Sequence, residues 1–412
     1  DAVANTIRED PRQPGLLYAG TDTQVWVSFD DGDQWQSLRQ NMPAISVRDL
    51  QVKDDARCGC ADLIAGTHGR GFWILDNLTP LRQAAAVKAV LAKNEPYLFK
   101  PGTATRVRFG VNEPTPWPPE LPAGESAPPG ALLDYYLAKD ASGPITLEIL
   151  DAAGKVVRTY SSTEPVFNPD PGKDMAAYDE VCKKTPTAAY CGLPLYWPAP
   201  QFIIATSAGM HRFSWDLKFD PVSPADLVPA GDEEATGAVP GRTYPNYNVP
   251  WVPPGRYTVR LKVDGLTRTQ PITVRLDPRV RIAPDALATL NTLSTALYWE
   301  AVAAHRAFNE ARELAASLAS RSGADAVKSD LEELAPTGLQ RNIRTLRRRG
   351  SAATTPSLEA VSNALQAAAM AMQSAEVAPT AAQVAAAAAA RTQAQRVMAR
   401  WAAVKAKAAA LQ

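Results

Sequence analysis

The densest group of potentially reactive side chains lies in the segment SFDDGDQW, which runs from Ser28 to Trp35. Two adjacent carboxyl groups, on Asp30 and Asp31, are of the type that glycoside hydrolysis or metal binding needs. A glycosidase, however, places its two carboxyl groups on either side of the bond that it cleaves, several ångströms apart. Neighbouring residues of an extended chain point in opposite directions, which is a poor arrangement for an acid pair.

The same segment has the spacing Ser-x-Asp-x-Gly-x-x-Trp, known as an Asp box, and this spacing suits a tight hairpin turn. Asp30 can accept hydrogen bonds from turn amides. Gly32 can adopt a left-handed conformation, Ser28 can form a local hydrogen bond, and Trp35 is expected to turn back into the core. We therefore interpret Ser28, Asp30, Gly32 and Trp35 as structural residues and predict no catalytic residue here.

A second candidate is the segment THGRGFW, in which His68 and Arg70 alternate with glycines. Arginine can bind a carboxylate through two parallel hydrogen bonds. The alternative is a hairpin turn that Gly69 and Gly71 make possible, with the two polar side chains at the edge of a sheet. The sequence favours the turn. The three histidines of the chain are scattered and form neither a triad nor a metal-binding cluster, so we predict no cofactor.

Four cysteines occur as two close pairs, Cys58 with Cys60 and Cys182 with Cys191. An even number of cysteines in proline-rich loops is typical of exported proteins, and we predict a disulfide between Cys182 and Cys191. A bond between Cys58 and Cys60 would be strained, because one residue separates them. Metal binding is the alternative, although neither pair has C-x-x-C spacing. The expected location is secreted or periplasmic.

The composition indicates which partners to expect. Lys plus Arg and Asp plus Glu both number 43, so the net charge is zero and nothing points to nucleic acid or an anionic membrane. The longest apolar runs, such as residues 381–390, are alanine stretches too short to span a bilayer. Because the first residues already show a strand pattern, we expect the chain to be part of a longer protein.

Residues 1–80 are expected to form short strands connected by turns. The segments LLYAGTDTQVWVSFD and DLIAGTHGRGFWILD echo each other about 45 residues apart, each with AGT, a polar turn and an aromatic strand that ends in Asp. This repeat predicts four-stranded blades of a β-propeller. Two blades cannot close a propeller, so the remaining blades are expected from the upstream part of the same protein or from another chain. Residues 81–95 are predicted to be a connector.

After the connector, the sequence pattern changes once, from strand-like alternation to helical spacing. Residues 96–282 contain alternating strand patterns and long proline-rich loops, which predict an immunoglobulin-like β-sandwich. Residues 283–412 are rich in alanine, with apolar residues at helical spacing, which predicts a helical bundle. The predicted fold class is therefore a multidomain β plus α protein with terminal propeller blades, a sandwich and a C-terminal bundle.

The sequence resembles the C-terminal part of bacterial neuraminidase-repeat (Asp-box), sortilin-like β-propeller proteins, which are often labelled glycosyl hydrolases. The resemblance rests on the Asp box, on LIAGTHGRGFWILDN, and on AGMHRFSWDLKFDP and PPGRYTVRLKVDG in the region after the blades. It implies an exported protein with a recognition or scaffolding role, in which the sandwich and the helical tail follow the propeller. The ligand is unknown.

The same resemblance implies an alternative function, a sialidase-like glycoside hydrolase whose active site lies on blades outside these residues. Such an enzyme needs an arginine cluster for the substrate carboxylate, a Tyr/Glu nucleophile pair and an acid. The sequence shows no such constellation, and a fold alone does not establish a reaction. We expect no catalytic site within this chain, whether or not the full-length protein is an enzyme.

Overall fold

The computed structural model combines several β-sheets with a set of α-helices, as the sequence predicts at this level. The sheets come first along the chain and the long helices follow, which reflects the change from strand-like alternation to alanine-rich helical spacing. The residues described are 2–57, 59–91, 93–108, 130–163, 179–180, 183, 203–222, 249–336, 356–373 and 375–410.

The first sheet contains four antiparallel strands in the order in which they occur along the chain. They are β1 (Ala4–Glu9), β2 (Leu17–Thr21), β3 (Val25–Ser28) and β4 (Gln36–Ser37). Strands β2 and β3 are almost entirely buried, whereas β1 is largely exposed. The short apolar runs of β2 and β3 therefore form the part of this sheet that packs.

The second sheet has three strands, β5 (Val47–Asp55), β6 (Cys60–Thr67) and β7 (Phe72–Leu75). It packs on the first sheet around a shared apolar core, whose fully buried members are Leu16, Tyr18, Val25, Val27, Leu38, Met42, Val47, Leu50, Leu63, Ala65 and Leu78. A 3-10 turn (Leu81–Gln83) and helix α1 (Ala84–Leu91) then lead to the next sheets.

Two further sheets share one core. The three-stranded sheet has the order β13-β10-β8, and the five-stranded sheet has the order β12-β11-β14-β15-β9, in which β9 runs parallel to β15. Trp215 and Tyr135 from the first pack with Leu147 and Val259 from the second, all almost fully buried. The bounds are β8 (Tyr97–Leu98), β9 (Ala104–Arg106), β10 (Ala131–Leu137), β11 (Thr146–Leu150), β12 (Val156–Ser161), β13 (Gly209–Trp215), β14 (Gly255–Val263) and β15 (Leu266–Leu276).

The last part of the chain is helical, with α2 (Pro284–Ser317), α3 (Asp325–Leu334), α4 (Leu358–Met372) and α5 (Ala381–Ala409). Proline lies in the first turn of α2, where its missing N–H costs nothing. Thr380 and Gln383 form a capping box at the start of α5. Apolar stripes of these helices meet in a second large core, in which small alanines let the helices approach closely.

Polar contacts join these parts. Asn77 Nδ2, just after β7, donates to the Asp134 carboxylate at 2.9 Å, and Arg212 donates to the carbonyl of Asp76 at 2.9 Å. On the helical side, the Tyr298 hydroxyl donates to the carbonyl of Asp220 at 2.9 Å. Among the described residues, these contacts join the second sheet to the following sheets just after the end of β7.

Candidate functional site

The Asp-box segment forms a turn between β3 and β4 that its own polar side chains hold together. Ser28 Oγ donates to the Asp30 carboxylate at 2.8 Å and accepts the Gly32 amide at 2.9 Å. The same carboxylate oxygen of Asp30 accepts the Gln34 amide at 2.9 Å. These hydrogen bonds use the carboxylate as an acceptor within the turn, which is the local role of Asp in turns.

The backbone of this turn differs from what the acid-pair argument assumed. Asp31 and Gly32 have φ angles of +60° and +97°, so the chain at Asp31 is in the left-handed region and is not extended. Gly32 fits this conformation because it has no Cβ. Trp35 is half-buried beside Gly32 and is not among the buried residues of the core between the first two sheets.

The electrostatics of the turn also bear on its chemistry. The Gln34 amide, followed by the Ser28 hydroxyl, holds the pKa of Asp30 below its usual range. An aspartate with a lowered pKa is fully ionised at neutral pH and is a poor proton donor. Within the part of the chain that the structure describes, no group of three or more His, Cys, Asp or Glu side chains could hold a metal ion.

His68 and Arg70 lie in the hairpin that connects β6 to β7, and both side chains are exposed. Thr67 closes this hairpin, because its amide and its hydroxyl both donate to the carbonyl of Gly71, at 3.1 and 2.7 Å. Gly69 and Gly71 have φ angles of +91° and +64°, so the turn needs both glycines. Among the described residues, neither polar side chain takes part in a hydrogen bond or ion pair, and nothing positions them for chemistry.

The predicted disulfide between Cys182 and Cys191 lies outside the described residues and stays a prediction, and Cys58 also lies outside them. Cys60, at the start of β6, is not a free thiol. Its side chain is therefore not available as a nucleophile or a metal ligand.

A buried ionic group, which no sequence motif indicates, joins the connector to the first two sheets. Asp10 has a fully buried carboxylate that accepts both a bond from Arg82 Nε at 3.0 Å and a bond from the Tyr18 hydroxyl at 3.2 Å. Arg82 also pairs with Asp54 of β5 at 2.8 Å. Burial, and then Asp10, raise the pKa of Tyr18. Each charge of this network faces an opposite charge, which indicates a structural joint.

A second buried group lies between the paired sheets and the helices. Lys218 is 3% exposed, and burial lowers its pKa to about 8. Its ammonium group lies 5.2 Å from the centre of the Trp251 ring, a cation–π distance. The nearby Asp216 carboxylate accepts the Tyr160 hydroxyl at 3.1 Å and lies 3.9 Å from Arg158. Asp216 offsets only part of the cost of burying Lys218, because Arg158 and Arg108 also lie near it and burial still lowers its pKa.

A groove of about 420 Å³ lies on the surface between α2 and α5. Its floor includes Leu314 and Trp401, and its rim includes Glu310, Glu313 and Lys405. Lys405 Nζ binds Glu310 at 2.7 Å, so these two charges neutralise each other. Glu313 adds one further negative charge to the lining, which by itself does not define a ligand.

The first two sheets repeat one strand pattern, and the repeat reveals an exposed surface. Strand β2 corresponds to β6 through the shared AGT, and β3 corresponds to β7, so Val25 and Val27 correspond to Phe72 and Ile74. Val25 and Val27 are 4% and 3% exposed because they face the second sheet. Phe72 and Ile74 are 80% and 57% exposed. Apolar side chains grouped on one open face are a mark of an interaction surface.

No protein-family model, no curated protein and no solved structure matches this chain. Among the helices in the described part of the chain, none is long and apolar enough to cross a bilayer. The functional assignment therefore depends on the geometry of the turns, the buried charges and the open sheet face.

Proposed function

We propose that the chain is the C-terminal portion of an exported Asp-box, sortilin-like β-propeller protein with a recognition or scaffolding role and no catalytic site of its own. In this proposal, residues 1–80 are the last blades, residues 96–282 are an immunoglobulin-like sandwich and residues 283–412 are a helical bundle. The remaining blades come from the upstream part of the same protein or from another chain. No cofactor takes part.

The observation that carries the proposal is the contrast between Val25 and Phe72. The two residues occupy equivalent strand positions, but Val25 is 4% exposed and Phe72 is 80% exposed. A stack of repeated sheets buries each such position under the next sheet, and its terminal sheet leaves the position open. The open position is therefore what a stack of blades leaves where its next neighbour is a different segment or chain.

The Asp-box turn supports a structural role over a catalytic one. The Asp30 carboxylate is occupied by the Ser28 hydroxyl and the Gln34 amide, and its pKa is lowered by these same bonds. The acid of a glycosidase needs the opposite, a carboxyl group whose pKa is raised so that it holds a proton. We therefore assign Ser28, Asp30 and Gly32 to the architecture of the sheet.

The proposed export to a secreted or periplasmic compartment rests on the paired cysteines. A disulfide between Cys182 and Cys191 is expected in protein made in an oxidising compartment. Mass spectrometry of unreduced peptides from such protein detects a single cross-linked peptide if the proposal is right. Two free thiols at these positions would contradict export.

The competing assignment is a sialidase-like hydrolase, and an activity assay separates the two. We expect the chain to turn over neither sialosides nor aryl glycosides. The assay includes the Asp30→Ala variant and, as a matched control, Asp33→Ala in the same turn. Turnover by the parent that disappears in Asp30→Ala at an unchanged melting temperature would contradict the proposal, because it would show that the turn is a catalytic site.

A further inference from the structure

The two repeated sheets differ in their number of strands. The first sheet has a fourth strand, β4, which pairs with β3 through Trp26 with Ser37 and Val27 with Gln36. In the second sheet, β7 corresponds to β3, and among the described residues no strand pairs with its outer side. The chain continues from β7 into the 3-10 turn at Leu81–Gln83. The second sheet therefore has an open edge where the first sheet has a strand.

The backbone of β7 presents hydrogen-bonding groups on this outer side, which we name the β7 edge. The Thr67 amide donates to the Gly71 carbonyl, so the bonds to β6 continue at every second residue of β7, beginning with Trp73. The amides and carbonyls of Phe72 and Ile74 therefore point away from β6. Such a row of unpaired backbone groups is a template for a further strand.

The first sheet shows what a strand at this position looks like. The Leu38 amide donates to the carbonyl of Val25 at 2.9 Å, and the Leu38 side chain is buried in the core beside Val25. Phe72 occupies the position in β7 that Val25 occupies in β3. A strand that pairs with the β7 edge in the same way would place an apolar side chain next to the exposed ring of Phe72.

The hairpin beside the edge indicates the charge of such a strand. In the first sheet, Ser37 Oγ of β4 donates to Gln24 Oε1 at 2.7 Å, so a side chain of the β2–β3 hairpin binds the fourth strand. The equivalent β6–β7 hairpin carries the exposed cation of Arg70. An antiparallel strand reaches this hairpin with its C-terminal end. Because arginine binds carboxylates well, an acidic residue is favoured at that end.

The β7 edge is separate from the broad face on which the proposed function places a further blade. Within this chain the second sheet approaches the first most closely through β5, which lies against β1 and β2. The outer pair of strands, β3 and β4, lies away from this approach. A blade that packs on the second sheet in the same manner leaves the outer side of β7 accessible, so both sites can be occupied together.

We propose that the β7 edge binds an extended segment of a partner polypeptide as a fourth, antiparallel strand. The segment carries an apolar side chain beside Phe72 and, directly after it, an acidic residue that binds Arg70. Backbone hydrogen bonds supply the affinity of such strand addition, and the side chains supply the specificity. The proposal deepens the recognition role proposed above, on which it rests, and names the class of ligand.

Isothermal titration calorimetry on the full 412-residue chain tests the proposal with a short test peptide. The test peptide, QWQSLEQ, copies Gln34–Gln40 around β4 and has Glu in place of Arg39. We expect it to bind with one peptide per chain. Methylation of its leucine amide nitrogen removes the bond that corresponds to Leu38 and Val25, and should weaken binding by at least about tenfold. The copy that keeps Arg39 should also bind about tenfold more weakly, because it places a cation near Arg70.

Variants of the chain locate the binding site. Arg70→Glu should reverse the preference, so that the peptide with arginine binds more tightly than the peptide with glutamate. Arg396→Glu is the matched control, because Arg396 is an exposed arginine on α5, and it should keep the parent's preference. Ile74→Pro removes an amide that points to the edge and none that pairs with β6, so it should abolish binding while circular dichroism shows a folded chain.

Three results would overturn the proposal: no binding at millimolar peptide, equal binding of the methylated peptide, or a preference that Arg70→Glu leaves unchanged. Hydrogen exchange on the protein isolated from its natural source tests the origin of the strand. Slow exchange of the Phe72 and Ile74 amides without peptide would overturn the proposal, because a segment of the protein itself would already occupy the edge.

The outcome for the proposed function is distinguishable from these results. Absence of peptide binding leaves the scaffolding role standing, because that role rests on the contrast between Val25 and Phe72. Glycoside turnover that depends on Asp30 would refute the proposed function and leave the peptide titrations unaffected.

Discussion

Val25 and Phe72 occupy equivalent positions in two consecutive sheets, yet one is buried under a neighbouring sheet and the other is open. The residues that pair with them, Gly20 and Gly66, repeat the contrast. A Cβ on Gly20 would lie 2.8 Å from Val47 of the second sheet, whereas a Cβ on Gly66 would meet the Phe72 ring at an ordinary 3.6 Å. The close packing at Gly20 is thus absent at its counterpart.

Replacing Asp30 tests the structural reading of the Asp box. Asp30→Ala should lower the melting temperature, because the amide of Gln34 and the hydroxyl of Ser28 lose their shared acceptor. Asp33→Ala, a neighbouring exposed aspartate, should leave it almost unchanged. Differential scanning calorimetry on the two variants decides the matter. Equal melting temperatures for Asp30→Ala and the parent would mean that the turn does not depend on this carboxylate.

The contribution of Asp30 should also depend on pH. Its pKa is lowered in the folded chain, so the folded state binds a proton less readily than the unfolded state. The stabilisation is therefore fully present above the ordinary aspartate pKa of about 3.9 and disappears as pH falls through the lower folded value. The difference in melting temperature between parent and Asp30→Ala should shrink as the pH is lowered below about 4. A difference that stays constant or grows would contradict the assignment.

A buried ionic group lies at the junction between the sheets and the helices. Arg106 of β9 is fully buried in its side chain and donates to Glu376, between α4 and α5, at 2.6 Å, and Arg108 donates to the same oxygen at 2.8 Å. Burial lowers the pKa of Arg106 to about 10 in spite of Glu376. Glu376→Gln leaves a buried cation without its counter-charge, which costs about 3–5 kcal/mol.

A matched control for the junction is Glu333→Gln, because the Glu333 side chain is 60% exposed and its partner Arg400 also pairs with Asp330. Loss of an exposed pair costs at most about 1 kcal/mol. Urea unfolding followed by far-UV circular dichroism measures both variants, which we expect to differ clearly. Equal losses would show that the buried pair does not hold the helices to the sheets.

Because Lys218 is buried, we expect the free energy of unfolding to rise with pH in the alkaline range. Its folded pKa of about 8 lies below the unfolded value of about 10.4, so the cost of burying its charge is fully present below pH 8. Between these values the unfolded chain holds more protons, so stability rises with pH. Lys218→Met removes this cost, which is on the order of 3 kcal/mol.

The Lys218→Met variant should therefore melt at a higher temperature than the parent at pH 7, and the gap should close towards pH 10. Buried tyrosines such as Tyr160 are present in both chains, so their titration cancels in the comparison. The exposed Lys139→Met is the control and should show no gap at any pH. A Lys218→Met variant that melts below the parent at pH 7 would mean that the ammonium group is needed where it lies.

Local features were predictable from the sequence because their causes are local. The Asp-box turn depends on Ser28, Asp30 and Gly32, which lie within five residues, and the hairpin at Gly69 and Gly71 depends on two glycines separated by one residue. The order of sheets followed by helices was predictable from periodicity. The propeller and immunoglobulin-like assignments go beyond this level and stay predictions.

Long-range contacts were not predictable, because nothing in the sequence links their partners. Arg106 and Glu376 are 270 residues apart. Gly130 reads as an ordinary loop glycine, although a Cβ there would lie 2.0 Å from the carbonyl oxygen of Trp215. Trp35 illustrates the limit of a motif, since the spacing fixes the turn but the depth of the indole depends on the neighbouring sheet.

We propose above all that the first two sheets are equivalent, and that the second sheet lacks, within this chain, the neighbouring sheet that covers the first. A pair of matched substitutions tests this most directly. The measurement is the free energy of unfolding of Val25→Ser and of Phe72→Ser, from urea unfolding in dilute solution. Val25→Ser should lower this free energy by about 2–4 kcal/mol, because it removes buried apolar atoms and places a hydroxyl in the core. The free energy of unfolding of Phe72→Ser should stay within about 0.5 kcal/mol of that of the parent. Similar losses at the two positions would contradict the claim, because they would show that Phe72 is already covered within the chain.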